Sequence, residues 1–119
     1  MIAIINSGGA NIASVKFALE RLDVRSVLTD DVNVIRSADK VVLPGVGAAP
    51  VAMQRLASAG LIDCIRTLQQ PVLGICLGMQ LLFSRSAEGN VPLLGLFDAT
   101  CNAFTPTLQR SVPHMGWNQ

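Results

Sequence analysis

Aromatic residues are scarce: tyrosine is absent, and there are one tryptophan and four phenylalanines. Charged residues make up only 14% of the 119, the net charge is +1, and there is no basic block. Without basic residues interleaved with aromatics, neither nucleic acid nor a membrane surface is an expected partner. No uninterrupted apolar run approaches the ~18 residues that a membrane helix needs. The N-terminus runs straight into Ile2-Ala3-Ile4-Ile5 with no basic flank, which argues against a signal peptide. The three cysteines, Cys64, Cys76 and Cys101, are odd in number and far apart. That fits reduced thiols in a cytoplasmic protein better than a disulfide framework. With no C-x-x-C pair and His114 as the single histidine, ligands for a structural zinc are too few, and no metal or other cofactor is expected.

Half of the residues are hydrophobic, too many for a disordered chain. The composition suits one domain over residues 1–119, built on a sheet covered on both faces. Apolar runs alternate with helix-period segments. Ile2 to Ile5 reads as a strand; a Gly-Gly turn follows, and Ile12, Val15, Leu19 and Leu22 then recur at helical spacing. Val24 to Leu28 is a second strand, Asp30 a cap for a short helix through about Ser37, and Lys40 to Leu43 a third strand ended by Pro44-Gly45. A helical stretch broken near Gly60 places Leu61, Ile65 and Leu68 on one face. Pro71 to Ile75 is a fourth strand, and Cys76 to about Ser84 a turn running into a helix. Leu93 to Phe97 and Thr100 to Phe104 are further strand candidates. The βαβαβ order predicts an α/β fold, an open, mostly parallel sheet with helices on both faces. Such sheets hold ligands at the C-terminal ends of their strands. Three glycine-containing turns fall there: Ser7-Gly8-Gly9, Pro44-Gly45-Val46-Gly47 and Gly74-Ile75-Cys76-Leu77-Gly78.

The last of these has the G-x-nucleophile-x-G form of a nucleophile elbow, preceded by an apolar strand and followed by Leu77, Leu81 and Leu82. Glycines two residues either side leave room for a tight strand-to-helix turn. A thiol at a helix N-terminus is biased toward thiolate, and the Leu77 N–H is placed to meet a developing oxyanion. A buried, inert cysteine is the alternative for Cys76 taken alone; the flanking glycines favour a reactive one. Gly45, Val46 and Gly47 are candidates for a second oxyanion N–H, against the alternative of a plain Pro-Gly turn.

Gly74-Ile75-Cys76-Leu77-Gly78-Met79-Gln80-Leu81-Leu82 resembles the nucleophile segment of class I (triad) glutamine amidotransferases, which have a flavodoxin-like sheet. Pro44-Gly45-Val46-Gly47 and Pro113-His114-Met115-Gly116-Trp117-Asn118 resemble signatures of one branch, the glutaminase subunits of imidazole glycerol phosphate synthases. Asn6-Ser7-Gly8-Gly9-Ala10-Asn11 fits that branch's first loop, with Asn6 where Asp is common. The resemblance implies hydrolysis of glutamine to glutamate, with ammonia passed to a TIM-barrel cyclase partner in histidine biosynthesis. It implies Cys76 as nucleophile, Leu77 and the Val46 region as oxyanion donors, and Gln80 and Glu88 as holders of the substrate's amino-acid end. It places Asn11, His114, Met115 and Trp117 toward the cyclase. Without the resemblance, Gln80 and Glu88 read as solvated side chains, His114 as a loop histidine, and Trp117 as either a core or an interface residue.

The family's triad also uses a histidine and a glutamate from a later H-P-E segment, and residues 1–119 contain none. The expectation is a partial domain, with little glutaminase activity in this chain alone for want of a general base. Self-association through an incompletely covered sheet is expected with it. Two other enzyme classes share parts of the pattern: flavodoxin-like cysteine hydrolases, and triad amidotransferases serving other pathways. A fragment that docks without catalysis is a non-enzymatic reading.

Overall fold

The structure is a computed structural model that describes residues 1–8 and 12–117. Gly9, Ala10, Asn11 and Asn118, which belong to the expected first loop and partner surface, lie outside the described residues.

Four short apolar segments form the main sheet: β1 (Ile2–Ile5), β2 (Ser26–Thr29), β3 (Lys40–Gly45) and β4 (Val72–Cys76). All neighbours are parallel, in the order β2-β1-β3-β4. The order reverses direction between β1 and β3, so a crevice opens at the C-terminal ends of those two strands. Helix α1 (Ile12–Arg21) follows β1 and brings Val15 and Leu19 to one face of the sheet, against Val42. On the other face, Ala3, Ile5, Val41 and Leu43 pack into one core with Ile35, Leu56, Ile65, Leu77 and Leu81. Those residues come from or beside α2 (Val32–Ser37), α3 (Ala49–Ser58), α4 (Ile62–Arg66) and α5 (Leu77–Gln80). The expected open α/β sheet with helices on both faces is the fold observed.

Several boundaries differ from expectation. Asp31, not Asp30, caps α2, its carboxylate accepting from the N–H groups of Asn33 (2.8 Å) and Val34 (3.4 Å). Strand β2 begins at Ser26 rather than Val24, because the Val24 N–H donates to Leu19 O and closes α1. Strand β3 continues through Pro44 and Gly45, which pair with Ile75 and Cys76. The helix after Cys76 is only one turn long. Leu81, Leu82 and Phe83 are too short an apolar run for periodicity to separate helix from strand. Tertiary pairing decides: β5 (Phe83–Ser86) lies between β6 (Val91–Pro92) and β7 (Phe97–Cys101) in a small second sheet. Leu93 and Leu94 are buried but irregular, with Arg66 Nε donating to Leu94 O at 2.8 Å, and Gly95 (φ +72°) turns the chain before β7. Strand β7 therefore starts at Phe97 and ends at Cys101, earlier than the second candidate strand.

Candidate active site

The site is built where β3 and β4 end side by side. Cys76 closes β4 with φ +55° and ψ −122°, a backbone conformation that costs about 1–3 kcal/mol for a residue with a side chain. Glycines make the turn possible by removing atoms. A Cβ on Gly78 would lie 1.9 Å from Leu43 O, and one on Gly74 would lie 2.6 Å from Met79 Cα. The G-x-C-x-G spacing is thus a requirement for α5 to sit directly on the ends of β3 and β4. The result is an exposed Cys76 thiol, while Cys64 is buried and Cys101 half-buried.

Cys76 opens into a cleft of about 170 Å³ at the β1/β3 reversal, lined among others by Ser7, Gly8, Val15, Pro44, Gly45 and Val46. The structure therefore brings Cys76, Gly45 and Val46 to one space. Leu77 opens α5, and its side chain is buried. Gly47, at φ +89°, is not among the lining residues. The single turn of α5 sums few peptide dipoles, so the charge attraction expected of a longer helix is correspondingly small.

The strand ladder fixes which way the backbone groups point. Val41 N–H donates to Pro71 O at 3.0 Å. By the two-residue alternation of a strand, the backbone groups of Val41, Leu43 and Gly45 face β4, and those of Val42 and Pro44 face β1. Pairing of Gly45 with Cys76 turns the Gly45 carbonyl toward the Leu77 N–H. The Val46 N–H shares that trans peptide and points the opposite way, away from β4. A half-turn of the Gly45–Val46 peptide would exchange the two groups and present an N–H beside the thiol.

Gln80 and Glu88 line a second cleft, about 490 Å³, together with Ser86, Cys101 and Asn102. Cys76 precedes α5 and Gln80 ends it, one turn apart. Cys101 Sγ lies 3.7 Å from Gln80 O. His114, the single histidine, lies in the exposed segment after β7, edge-on to Phe104 at 6.0 Å, with Arg110 over the same ring at 5.1 Å. It does not line the Cys76 cleft, and among the described residues neither does any carboxylate. Met115 and Trp117 are exposed, Trp117 fully. Among the described residues, no group of three or more His, Cys, Asp or Glu could hold a metal ion, and no helix is long and apolar enough to cross a membrane.

Sequence reasoning passed over Ser7 as an individual residue. It is buried (4% exposed), lines the Cys76 cleft and donates through Oγ to Pro44 O at 2.9 Å. A small polar residue two positions past an apolar strand, at a predicted strand end, was the available signal.

A parallel α/β sheet carrying a strained, exposed cysteine in a glycine-flanked strand-to-helix turn has the backbone geometry of an elbow. The model of glutamine amidotransferase class-I matches residues 3–119, and the chain belongs to that family. Its relatives include proteins named imidazole glycerol phosphate synthase subunit HisH. Those from Xanthomonas axonopodis pv. citri and Pasteurella multocida are each 53% identical over 118 residues, and that from Xylella fastidiosa is 52% identical. These matches take in 99% of this chain, and the chain spans 59% of the length of each of these relatives. A crystal structure of a glutamine amidotransferase shares the fold with a TM-score of 0.71 at 19% identity, over 83% of this chain and 54% of that one.

Proposed function

We propose that this chain carries the nucleophile half of a glutaminase site that feeds ammonia to the cyclase subunit of an imidazole glycerol phosphate synthase. The observation that carries the reading is the Cys76 thiol, exposed at φ +55° beside the open end of β3. In this reading Cys76 Sγ attacks the side-chain amide carbon of glutamine. The tetrahedral oxyanion is met by the Leu77 N–H and, after rotation of the Gly45–Val46 peptide, by the Val46 N–H, with Gly47 as the flexible joint. The C–N bond breaks as a proton reaches the departing nitrogen, leaving ammonia and a γ-glutamyl thioester. Water then hydrolyses the thioester to glutamate and restores the thiol. Gln80 and Glu88, which share a cleft, are proposed to hold the amino-acid end of the substrate.

Among the described residues, no base lines the cleft around Cys76. Proton transfer is accordingly assigned to a histidine–glutamate pair outside these 119 residues, and the chain alone is expected to release glutamate at close to the background rate. Exposed Met115 and Trp117, with His114 and Asn11, are proposed to meet a TIM-barrel cyclase in a heterodimer. A cytoplasmic setting fits the free thiols. A second reading rests on a different observation: Leu22 (72% exposed), Leu73 (60%) and Ile75 (37%) line one apolar groove, a surface suited to self-association.

The test combines two assays on the 119-residue chain, cyclase binding and glutamate release with and without the cyclase. Binding with no glutamate above background is expected. Failure to bind counts against the partner, and a clean monomer by light scattering at tens of micromolar counts against self-association.

A further inference from the structure

We infer that Ser7 is a positioning residue for Cys76 chemistry: with its N–H drawn to the strand acceptor that Pro44 cannot serve, its hydroxyl takes over the bond to Pro44 O, and so fixes the peptide that leads into the donor loop. The inference rests on the reading of Cys76 as the nucleophile. Strands β1 and β3 pair as Ile2–Lys40, Ala3–Val41 and Ile4–Val42, and there the pairing stops. The next step of the ladder would need an N–H on residue 44, facing Ile5 O. Proline has none. Ile5 O instead accepts from the Ser7 N–H at 2.9 Å, which bends the chain back into the crevice. In a continued ladder that same N–H would have gone to Pro44 O. The Ser7 hydroxyl takes its place at 2.9 Å, in a buried position. One residue thus satisfies both acceptors left by the missing donor.

The consequence reaches the site through peptide planarity. Holding the Pro44 carbonyl toward β1 fixes the trans Pro44–Gly45 peptide and aims the Gly45 N–H at β4. Gly45 stands in register with Cys76, and the Gly45–Val46 peptide pivots on it. Without the Ser7 hydroxyl, Pro44 O loses its buried donor and this pivot loosens, while the thiol itself stays where Gly74 and Gly78 put it.

The experiment measures the rate of Cys76 modification in the whole chain by two reagents. Diazo-oxo-norleucine carries a glutamine-like carbonyl, whereas iodoacetamide reports thiol exposure alone. Ser7→Ala is expected to lower the saturating rate with diazo-oxo-norleucine about tenfold, less than the ~10²–10³ of losing a donor outright. Its half-saturating concentration and the iodoacetamide rate should stay unchanged, and Ser7→Thr should restore the rate. Pro44→Ala returns the missing N–H to Ile5 O and frees the Ser7 N–H for the carbonyl of residue 44. In that background Ser7→Ala should have less than about a twofold further effect, because the hydroxyl has become redundant. A Ser7→Ala rate within about twofold of the unmodified chain overturns the proposal. So does a loss of both labels in proportion, no recovery in Ser7→Thr, or the same penalty in both backgrounds. If Ser7→Ala does not fold, Ser7→Thr against Ser7→Val makes the same comparison at equal shape, and equal rates overturn it. Absence of selective Cys76 labelling in the unsubstituted chain sinks the nucleophile reading itself, a different result from any of these.

Discussion

The elbow between β4 and α5 holds the proposed nucleophile and the segment after β7 holds residues proposed to meet a partner, yet the two are specified in opposite ways. At the elbow every side chain that could be larger has been removed: Gly45, Gly74 and Gly78 each face backbone atoms within 2.6 Å of where a Cβ would stand. Leu77 and Leu81 anchor the turn in the core. After β7 the reverse holds. Phe104, Leu108, Met115 and Trp117 are all exposed, and the segment has no regular structure through residue 117. A site whose chemistry depends on one atom is held by the fold's own packing. The segment proposed to meet the cyclase instead leaves Leu108, Met115 and Trp117 open to solvent.

The sharpest way to break that contrast is to add one methyl group at the elbow. Gly78→Ala places a carbon on Leu43 O and is expected to destabilise the chain by about 3 kcal/mol or more, read from the urea midpoint. An unfolding curve close to that of the unsubstituted chain would mean that the close packing is not needed. Trp117→Ala addresses the other side. Its unfolding midpoint should move by less than about 0.5 kcal/mol, while cyclase binding weakens by about 2 kcal/mol. A large stability loss with unchanged binding would reverse the assignment. Asp31→Ala removes the cap of α2 and should cost about 1 kcal/mol in thermal unfolding, because two N–H groups lose their acceptor.

The smallest effect concerns Asp39, whose carboxylate accepts a hydrogen bond from the Met1 amino group. That bond, and then the positive charge of the same group, hold the Asp39 carboxyl below its ordinary value of 3.8. A carboxyl lowered in the folded state adds stability that is complete above its ordinary pKa and is lost as the pH falls through the lowered one. Asp39→Asn should therefore flatten the acid limb of the stability–pH curve slightly below about pH 4 and leave neutral pH nearly unchanged.

The four main strands, the break at Gly60 and the strand-to-helix turn at Cys76 were legible because local residue types dictate them: β-branched runs, and glycines where nothing else fits. The short α5 was not legible, since Leu81 to Phe83 adopt their shape only by pairing with strands formed later in the chain. The geometry around Pro44 was hidden for a related reason. Pro-Gly signals a turn, but here Pro44 remains in β3 and its missing N–H falls on the side where β1 has already departed. Reading Ser7 as its complement required the register of three strands. Gln80 and Glu88 could be paired only through family resemblance, because seven residues of turn and strand separate them.

The most direct measurement is the site of modification by diazo-oxo-norleucine, located by peptide mass spectrometry in the folded chain. The account predicts label on Cys76 alone, with buried Cys64 and half-buried Cys101 untouched until the chain is unfolded. Equal labelling of the three thiols, or label on Cys101 in preference to Cys76, would contradict it.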